Sequence, residues 1–250
     1  MKERLDKVLV SRGLCGSRER ARALIMAGQV LVNETVCDKA GTRIADDAAL
    51  RLRGADLPYV SRGGLKLAEA LRRFELVVSG RVAIDVGAST GGFTDCLLQQ
   101  GARRVYAVDV GYGQLAWSLR SDDRVVNLER THICALSANE LQPRPDLAVI
   151  DASFISLEKI VPATLALLLR PCDLVALIKP QFEVGAGRVG KGGIVRDGRL
   201  HDEVIERIQA FIVAQGGSVA GLCDSPVLGA KGNREFLLHA RFATDKAGAP

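Results

Sequence analysis

At 250 residues, with 48% apolar and 25% charged side chains, the chain has room for a full hydrophobic core plus a small accessory domain, which excludes a disordered or fibrous protein. A net charge of +5 and a pI near 9.0 favour an anionic partner only modestly. Six cysteines without a C-x-x-C pair and three histidines without ligand spacing argue for free buried thiols and against a metal site, and the longest apolar stretch (residues 161–178) is cut by Arg170, Pro171 and Asp173, too interrupted to span a bilayer. The charged, amphipathic N-terminus carries no secretion signal, so a cytoplasmic location is expected.

Residues 1–54 are expected to form a small N-terminal domain. Leu5, Val8 and Leu9 mark a short amphipathic helix. Ser17 is a good N-cap for a second helix, with Ala21, Leu24 and Ile25 on its inner face and Gly28 closing it. Val30-Leu31-Val32, Val36, Ile44 and Leu50-Arg51-Leu52 follow as short strands, with turns at Asn33-Glu34 and Ala40-Gly41. Up to Leu24 there are seven basic residues against three acids, and Arg18 and Arg22 lie four apart on one helix with Arg20 nearby. Charge alone leaves open whether this is a solvated face or a nucleic-acid surface. The strings Arg4-Leu5-Asp6, Ser17-Arg18 and Gly28-Gln29-Val30, with Val32-Asn33, resemble the small α+β RNA-binding domain of the ribosomal protein S-four type. That resemblance implies RNA contacts at Arg4, Lys7, Ser17, Arg18, Arg20 and Arg22. Aromatic platforms for unpaired bases are missing from this module, which favours structured RNA.

Residues 55–62 read as a linker. A helix over 65–74 follows, with Leu67, Ala70, Leu71 and Phe74 inward. Lys66 falls in its first turn, where a cation opposes the positive end of the helix dipole and invites a functional reason. Arg62, just ahead of it, is counted among the expected RNA contacts.

The stretch Asp85-Val86-Gly87-Ala88-Ser89-Thr90-Gly91-Gly92-Phe93 organises the larger domain, residues 63–242. Val82-Ala83-Ile84 precedes it as a buried strand, and Phe93, Leu97 and Leu98 follow at helical spacing, closed by Gly101. A strand, a glycine-rich turn and a helix open a doubly wound α/β domain, whose ligands bind at the carboxyl ends of the strands. The turn lacks the Gly-Lys-Ser/Thr ending of a triphosphate loop, and Ser89 stands where a dinucleotide fold has its second glycine. Asp85 ahead of the turn suits a cationic ligand, and S-adenosylmethionine, with its sulfonium and amino groups, meets that need; a purely structural turn is the alternative. Val105-Tyr106-Ala107-Val108 ends in Asp109, well placed to hydrogen-bond both hydroxyls of an adenosine ribose. Cofactor contacts are therefore expected from Asp85, Gly87, Ser89, Thr90, Gly91, Gly92, Phe93, Asp109 and Asp151.

Strands are expected over 81–85, 104–109, 124–128, 147–151, 174–179, 218–222 and 235–241, with helices over 157–169 and 200–215. The alternation predicts a seven-stranded, mainly parallel sheet covered on both faces, a Rossmann-like arrangement; with an S-adenosylmethionine site at its glycine-rich turn it resembles the fold of class I methyltransferases. Residues 185–197 break it with five glycines interleaved with Arg188, Lys191 and Arg196; a mobile basic lid, an RNA-gripping loop and an inert insertion are all open there, and Arg188 and Lys191 are counted as RNA contacts. Residues 243–250 read as a disordered tail.

Two apolar runs deliver charged residues to the carboxyl edge: Asp151 after Leu147-Ala148-Val149-Ile150, and Lys179 after Leu174-Val175-Ala176-Leu177-Ile178. Glu235 begins the last strand and reaches the same edge if that strand is antiparallel. Lys66, Asp151, Lys179 and Glu235 could thus converge on one cavity. Methylating a ribose hydroxyl requires a base, and a lysine serves if burial and a second ammonium lower its pKa from about 10.4 towards neutrality. No metal is needed for this chemistry.

The strings Ser61-Arg62-Gly63-Gly64-Leu65-Lys66-Leu67, Asp85 to Thr94, Asp109-Val110-Gly111-Tyr112-Gly113-Gln114-Leu115, Asp151-Ala152-Ser153-Phe154-Ile155-Ser156-Leu157, Ile178-Lys179-Pro180-Gln181-Phe182-Glu183 and Gly232-Asn233-Arg234-Glu235 resemble the TlyA family over nearly the whole chain. The resemblance implies an S-adenosylmethionine-dependent 2′-O-ribose methyltransferase acting on cytidine in the RNA of bacterial ribosomal subunits. It also implies a metal-independent catalytic tetrad at Lys66, Asp151, Lys179 and Glu235. Residues 54–57 depart from the Arg-Ala-Trp-Val-like linker element that family members can carry. Two other readings stay open: an RNA-binding assembly factor without methylation activity, and, since members are often labelled hemolysins, a membrane-lysing protein.

Overall fold

The computed structural model describes residues 2–26, 28–52, 57–185 and 187–244. Residues 55 and 56 of the expected linker and residues 245–250 of the expected tail lie outside the described residues. The chain forms two compact units, Met1–Pro58 and Tyr59–Pro250.

The first unit runs β1 (Lys2–Arg4), α1 (Leu5–Ser11), α2 (Arg18–Met26), β2 (Val30–Val32), β3 (Thr35–Val36), β4 (Arg43–Ala45) and β5 (Leu50–Leu52). Leu5, Val8 and Leu9 from α1 and Ala21, Leu24 and Ile25 from α2 recur at helical spacing and meet Val30 and Ile44 in one small core. The Ser17 hydroxyl accepts the Arg20 N–H at 3.1 Å as the N-cap of α2, and Gly28, at φ +67°, lets the chain leave the helix. β2 pairs antiparallel with both β3 and β5. Asn33 and Glu34, both at positive φ, form the two-residue hairpin turn from β2 to β3. β1 was not expected, because Lys2-Glu3-Arg4 has no apolar alternation; pairing with β4 defines it.

The second unit contains α3 (Gly63–Arg73), β6 (Val82–Val86), α4 (Gly92–Gln99), β7 (Arg104–Val108), α5 (Trp117–Arg120), β8 (Val125–Leu128), β9 (Leu147–Ile150), α6 (Leu157–Leu167), β10 (Cys172–Ile178), α7 (Pro180–Glu183), α8 (Gly198–Ala214), β11 (Ser218–Asp224) and β12 (Phe236–Phe242). One seven-stranded sheet has the order β11-β12-β10-β9-β6-β7-β8, in which β12 alone runs against its neighbours. The inner strands are apolar at nearly every position because both faces are covered. Val82, Ile84 and Val86 face Ile160, Val161, Val204 and Ile208 of α6 and α8, whereas Ala83 faces Leu67, Ala70, Phe93 and Leu97 of α3 and α4. The order reverses between β6 and β9, and such a switch point opens a crevice at the carboxyl ends of the strands.

The glycine-rich segment after α7 is tied down at its far end. Val195 is buried, its N–H donates to Asn233 Oδ1 at 3.0 Å, and Asn233 Nδ2 donates to the Gly193 carbonyl at 2.9 Å.

Candidate active site

The turn after β6 requires its glycines. Gly87 has φ +86°, and a Cβ there would stand 2.8 Å from the Asp151 carbonyl oxygen. At Gly92 a Cβ would fall 2.2 Å from Ser61 Oγ, so the starts of α3 and α4 can approach only without one. Asp109, just past β7, holds the turn open: its carboxylate accepts the Ser89 N–H at 2.8 Å and the Gly111 N–H at 2.6 Å. Ser89 itself sits at φ +49°, a strained angle for a residue with a side chain.

Two adjoining clefts flank this turn. One, of about 290 Å³, is lined by Arg62, Lys66, Gly87, Ser89, Thr90, Gly92, Phe93, Asp151, Ser153 and Lys179, among others. The other, of about 380 Å³, shares Gly87, Ser89, Asp151 and Ser153 and adds Asp109, Gln114 and the apolar walls Val110, Ile133 and Ile155. Asp85 and Gly91 line neither cleft. The period of two along β6 turns Asp85 towards α4, where it is wholly buried and accepts the Thr94 hydroxyl at 2.7 Å. Its other oxygen has no hydrogen-bond partner. Burial pushes this carboxyl up to about 7, against the Thr94 hydrogen bond and with help from the negative charges of Asp151 and Asp109. Gly91, at φ +97°, adjoins Leu115 and Leu119, which a Cβ would strike.

The four charged residues meet. Because β12 runs antiparallel with Phe236 opposite Ile178, Glu235 and Lys179 emerge together at the edge where β9 delivers Asp151. Lys66 arrives from the first turn of α3, and its ammonium donates to Glu235 Oε2 at 2.6 Å, with side-chain exposures of 11% and 2%. This partner offsets the unfavourable helix dipole noted from the sequence. Lys179 Nζ lies 2.6 Å from Asp151 Oδ1. That contact is an ion pair without hydrogen-bond alignment, since Asp151 Oδ1 has no directed partner, and Lys179 instead donates to Ser153 Oγ at 2.9 Å. Gly229 crowds Glu235 so closely that a Cβ would overlap its carboxylate.

Three features of the site were not anticipated. Ser153, which accepts from Lys179, has no local mark in the sequence beyond its place two residues after Asp151. Glu183 is a buried brace: it accepts the Leu157 N–H and the Ser156 hydroxyl, both at 2.8 Å, and an Arg207 N–H at 3.2 Å, which ties the segment after Lys179 to the segment after Asp151. Burial raises its carboxyl above the usual range despite those donors. Phe154 is 90% exposed at φ +64°, on the wall of the larger cleft, with its ring 4.9 Å from that of Phe182. A large aromatic in a loop straight after a strand-end acid was the signal available for it.

Of the expected RNA contacts, Arg62 lines the smaller cleft and Arg188 is engaged by Glu203 at 2.5 and 2.6 Å, while Lys191 is exposed. In the first unit, Lys7 and Ser17 are exposed, Arg20 is half-buried, and Arg4, Arg18 and Arg22 all contact Asp6.

The donor set fits S-adenosylmethionine: apolar walls at Val110 and Ile133 suit a flat heteroaromatic ring, Asp109 keeps lone pairs for vicinal hydroxyls, and the Asp151 carboxylate suits positive charge. A seven-stranded sheet with one reversed strand and this cleft at its switch point define an S-adenosylmethionine-dependent methyltransferase of the Rossmann-like class. The FtsJ-like methyltransferase family matches residues 59–242, and the S4 domain matches residues 3–49. The chain is 53% identical over 242 residues to YqxC of Bacillus subtilis, a protein named for rRNA methylation, covering 96% of this chain and 86% of that one. It is 46% identical over 245 residues to the 16S/23S rRNA (cytidine-2'-O)-methyltransferase TlyA of Mycobacterium tuberculosis, covering 98% and 91%. A solved structure from Streptococcus thermophilus, named as a hemolysin, aligns with TM-score 0.76 and 47% identity over 97% of this chain and 89% of that one. The chain belongs to the TlyA family of FtsJ-like methyltransferases. Among the described residues no helix is long and apolar enough to cross a membrane.

Proposed function

We propose that this enzyme methylates the ribose 2′-hydroxyl of cytidine in ribosomal RNA, with Lys66, Asp151, Lys179 and Glu235 as its catalytic residues. The observation that carries the reading is the meeting of Lys66, Asp151 and Lys179 on the wall of a cleft that adjoins the expected cofactor groove, with Glu235 paired to Lys66. The names of the relatives support ribosomal RNA and cytidine as the substrate, and the S4 domain supports an RNA partner.

When bound, S-adenosylmethionine supplies a methyl group on a sulfonium centre, and the acceptor hydroxyl must lose its proton as its oxygen takes that methyl. Lys179 is the proton acceptor. It acts as the neutral amine, having released one proton to solvent; Asp151, 2.6 Å away, and the hydrogen bond to Ser153 fix where Nζ points. Lys66, oriented by Glu235, turns a positive charge towards the oxygen on which negative charge develops. Two cations and two anions leave the cluster neutral, so its burial carries no unbalanced charge. Phe154 offers a bare aromatic face on which a single splayed base can stack. Holding the hydroxyl and the methyl group in contact supplies much of the remaining rate gain.

The test is transfer of labelled methyl from the cofactor to purified ribosomal subunits. Label in ribosomal RNA is the expected result; none in either subunit defeats the reading.

A further inference from the structure

A carboxylate with no exposure at all lies in the first unit, outside the catalytic cleft. Asp6, in the first turn of α1, is fully buried and receives four side-chain hydrogen bonds. Arg4 donates through Nε to Oδ1 at 3.0 Å and through Nη2 to Oδ2 at 3.1 Å. Arg18 Nη2 and Arg22 Nε reach Oδ2 at 3.0 and 3.3 Å. These donors, Arg4 foremost, hold the Asp6 carboxyl well below the usual carboxylate range.

The three guanidiniums come from different places: Arg4 from β1, Arg18 and Arg22 from successive turns of α2. One anion neutralises one of them, so the cluster keeps a surplus of two positive charges. Their side chains are 40%, 49% and 54% exposed, and each guanidinium carries five N–H donors, of which Asp6 takes one or two. A long flexible side chain normally loses rotamer freedom when it grips a phosphate. Here that ordering has been done in advance, because a buried anchor holds the near side of each fork while the far side meets solvent. Planar forks so held suit the paired oxygens of phosphodiesters.

We infer that Asp6 is a positioning residue for RNA binding: it gathers Arg4, Arg18 and Arg22 into one preorganised site for backbone phosphates. The inference rests on the RNA reading given above. It runs against simple charge counting. Removing an anion from a basic surface should tighten RNA binding if only net charge matters, whereas losing the organiser should weaken it.

The experiment measures binding of the full chain to purified small and large ribosomal subunits by filter retention across a salt series, comparing wild type, Asp6→Asn and the double variant Arg18→Lys with Arg22→Lys. Asp6→Asn is expected to bind at least about tenfold more weakly despite its extra positive charge. The double variant keeps the charge, replaces only half-exposed side chains and so leaves the fold intact; it is expected to lose several-fold, because a lysine cannot present a planar fork. It decides the matter if thermal unfolding shows that Asp6→Asn has lost the first unit. Wild-type affinity in the double variant, or equal or tighter binding by a folded Asp6→Asn, overturns the inference alone. Failure of the wild type to bind either subunit overturns the RNA reading with it.

Discussion

Lys66 donates to Glu235 at 2.6 Å across 169 residues of chain, and both side chains are almost wholly shielded from water. The contact exists because β12 is the one reversed strand of the sheet, which brings its first residues to the edge where the parallel strands end. A buried ion pair of this kind contributes little net stability against an apolar pair, but removing one partner strands the other. Its value lies in fixing where the Lys66 ammonium stands.

Glu235→Gln should therefore affect turnover more than binding. A fall in kcat of about a hundredfold is expected, the range of a misplaced catalytic group, with cofactor affinity close to wild type by calorimetry. Unchanged kcat would show that Glu235 is only a packing residue.

Asp85 predicts a pH dependence of stability. Its carboxyl titrates at about 7 in the fold, against an ordinary value of 3.8. Between those limits the folded chain retains a proton that the unfolded chain has released, so its contribution falls as pH rises through the window and is fully lost above about 7. Asp85→Asn removes the effect. In urea unfolding, the wild type should lose stability relative to this variant from about pH 4 to about pH 8, by up to roughly 4 kcal/mol. Parallel curves would mean that Asp85 stays ionised in the fold.

Phe154→Ala should weaken productive RNA binding and leave the cofactor untouched. Base–aromatic stacking contributes about 1–3 kcal/mol per base, so KM for ribosomal subunits should rise by roughly tenfold or more. Phe154→Trp should restore most of the loss. Equal kinetics for Phe154→Ala would assign the exposed ring no part in RNA recognition.

The strands and the meeting of two lysines with two carboxylates were legible because each leaves a local mark. Apolar runs ending in Asp109, Asp151 and Lys179 announce buried parallel strands with charged carboxyl ends, and Lys66 stood out as a cation at the wrong end of a helix. What escaped depends on depth and on contacts between distant segments. Asp85 read as a cofactor contact because the sequence gives its place after an apolar run but not that β6 extends past it to Val86, which puts its side chain in the interior against Thr94. Arg4, Arg18 and Arg22 read as a basic face, and nothing local marks Asp6 as their common partner. Nothing local marks Glu183 as a brace, since its donors lie 26 and 24 residues away along the chain.

The most direct test counts 2′-O-methylcytidine in nuclease digests of ribosomal RNA, after purified subunits are incubated with S-adenosylmethionine and either wild type or Lys179→Ala. Wild type should produce the modified nucleoside, and the variant none while still binding the cofactor with near wild-type affinity. Wild-type rates from Lys179→Ala, or methyl groups found on bases rather than ribose, would contradict the assignment of Lys179 as the group that takes the hydroxyl proton.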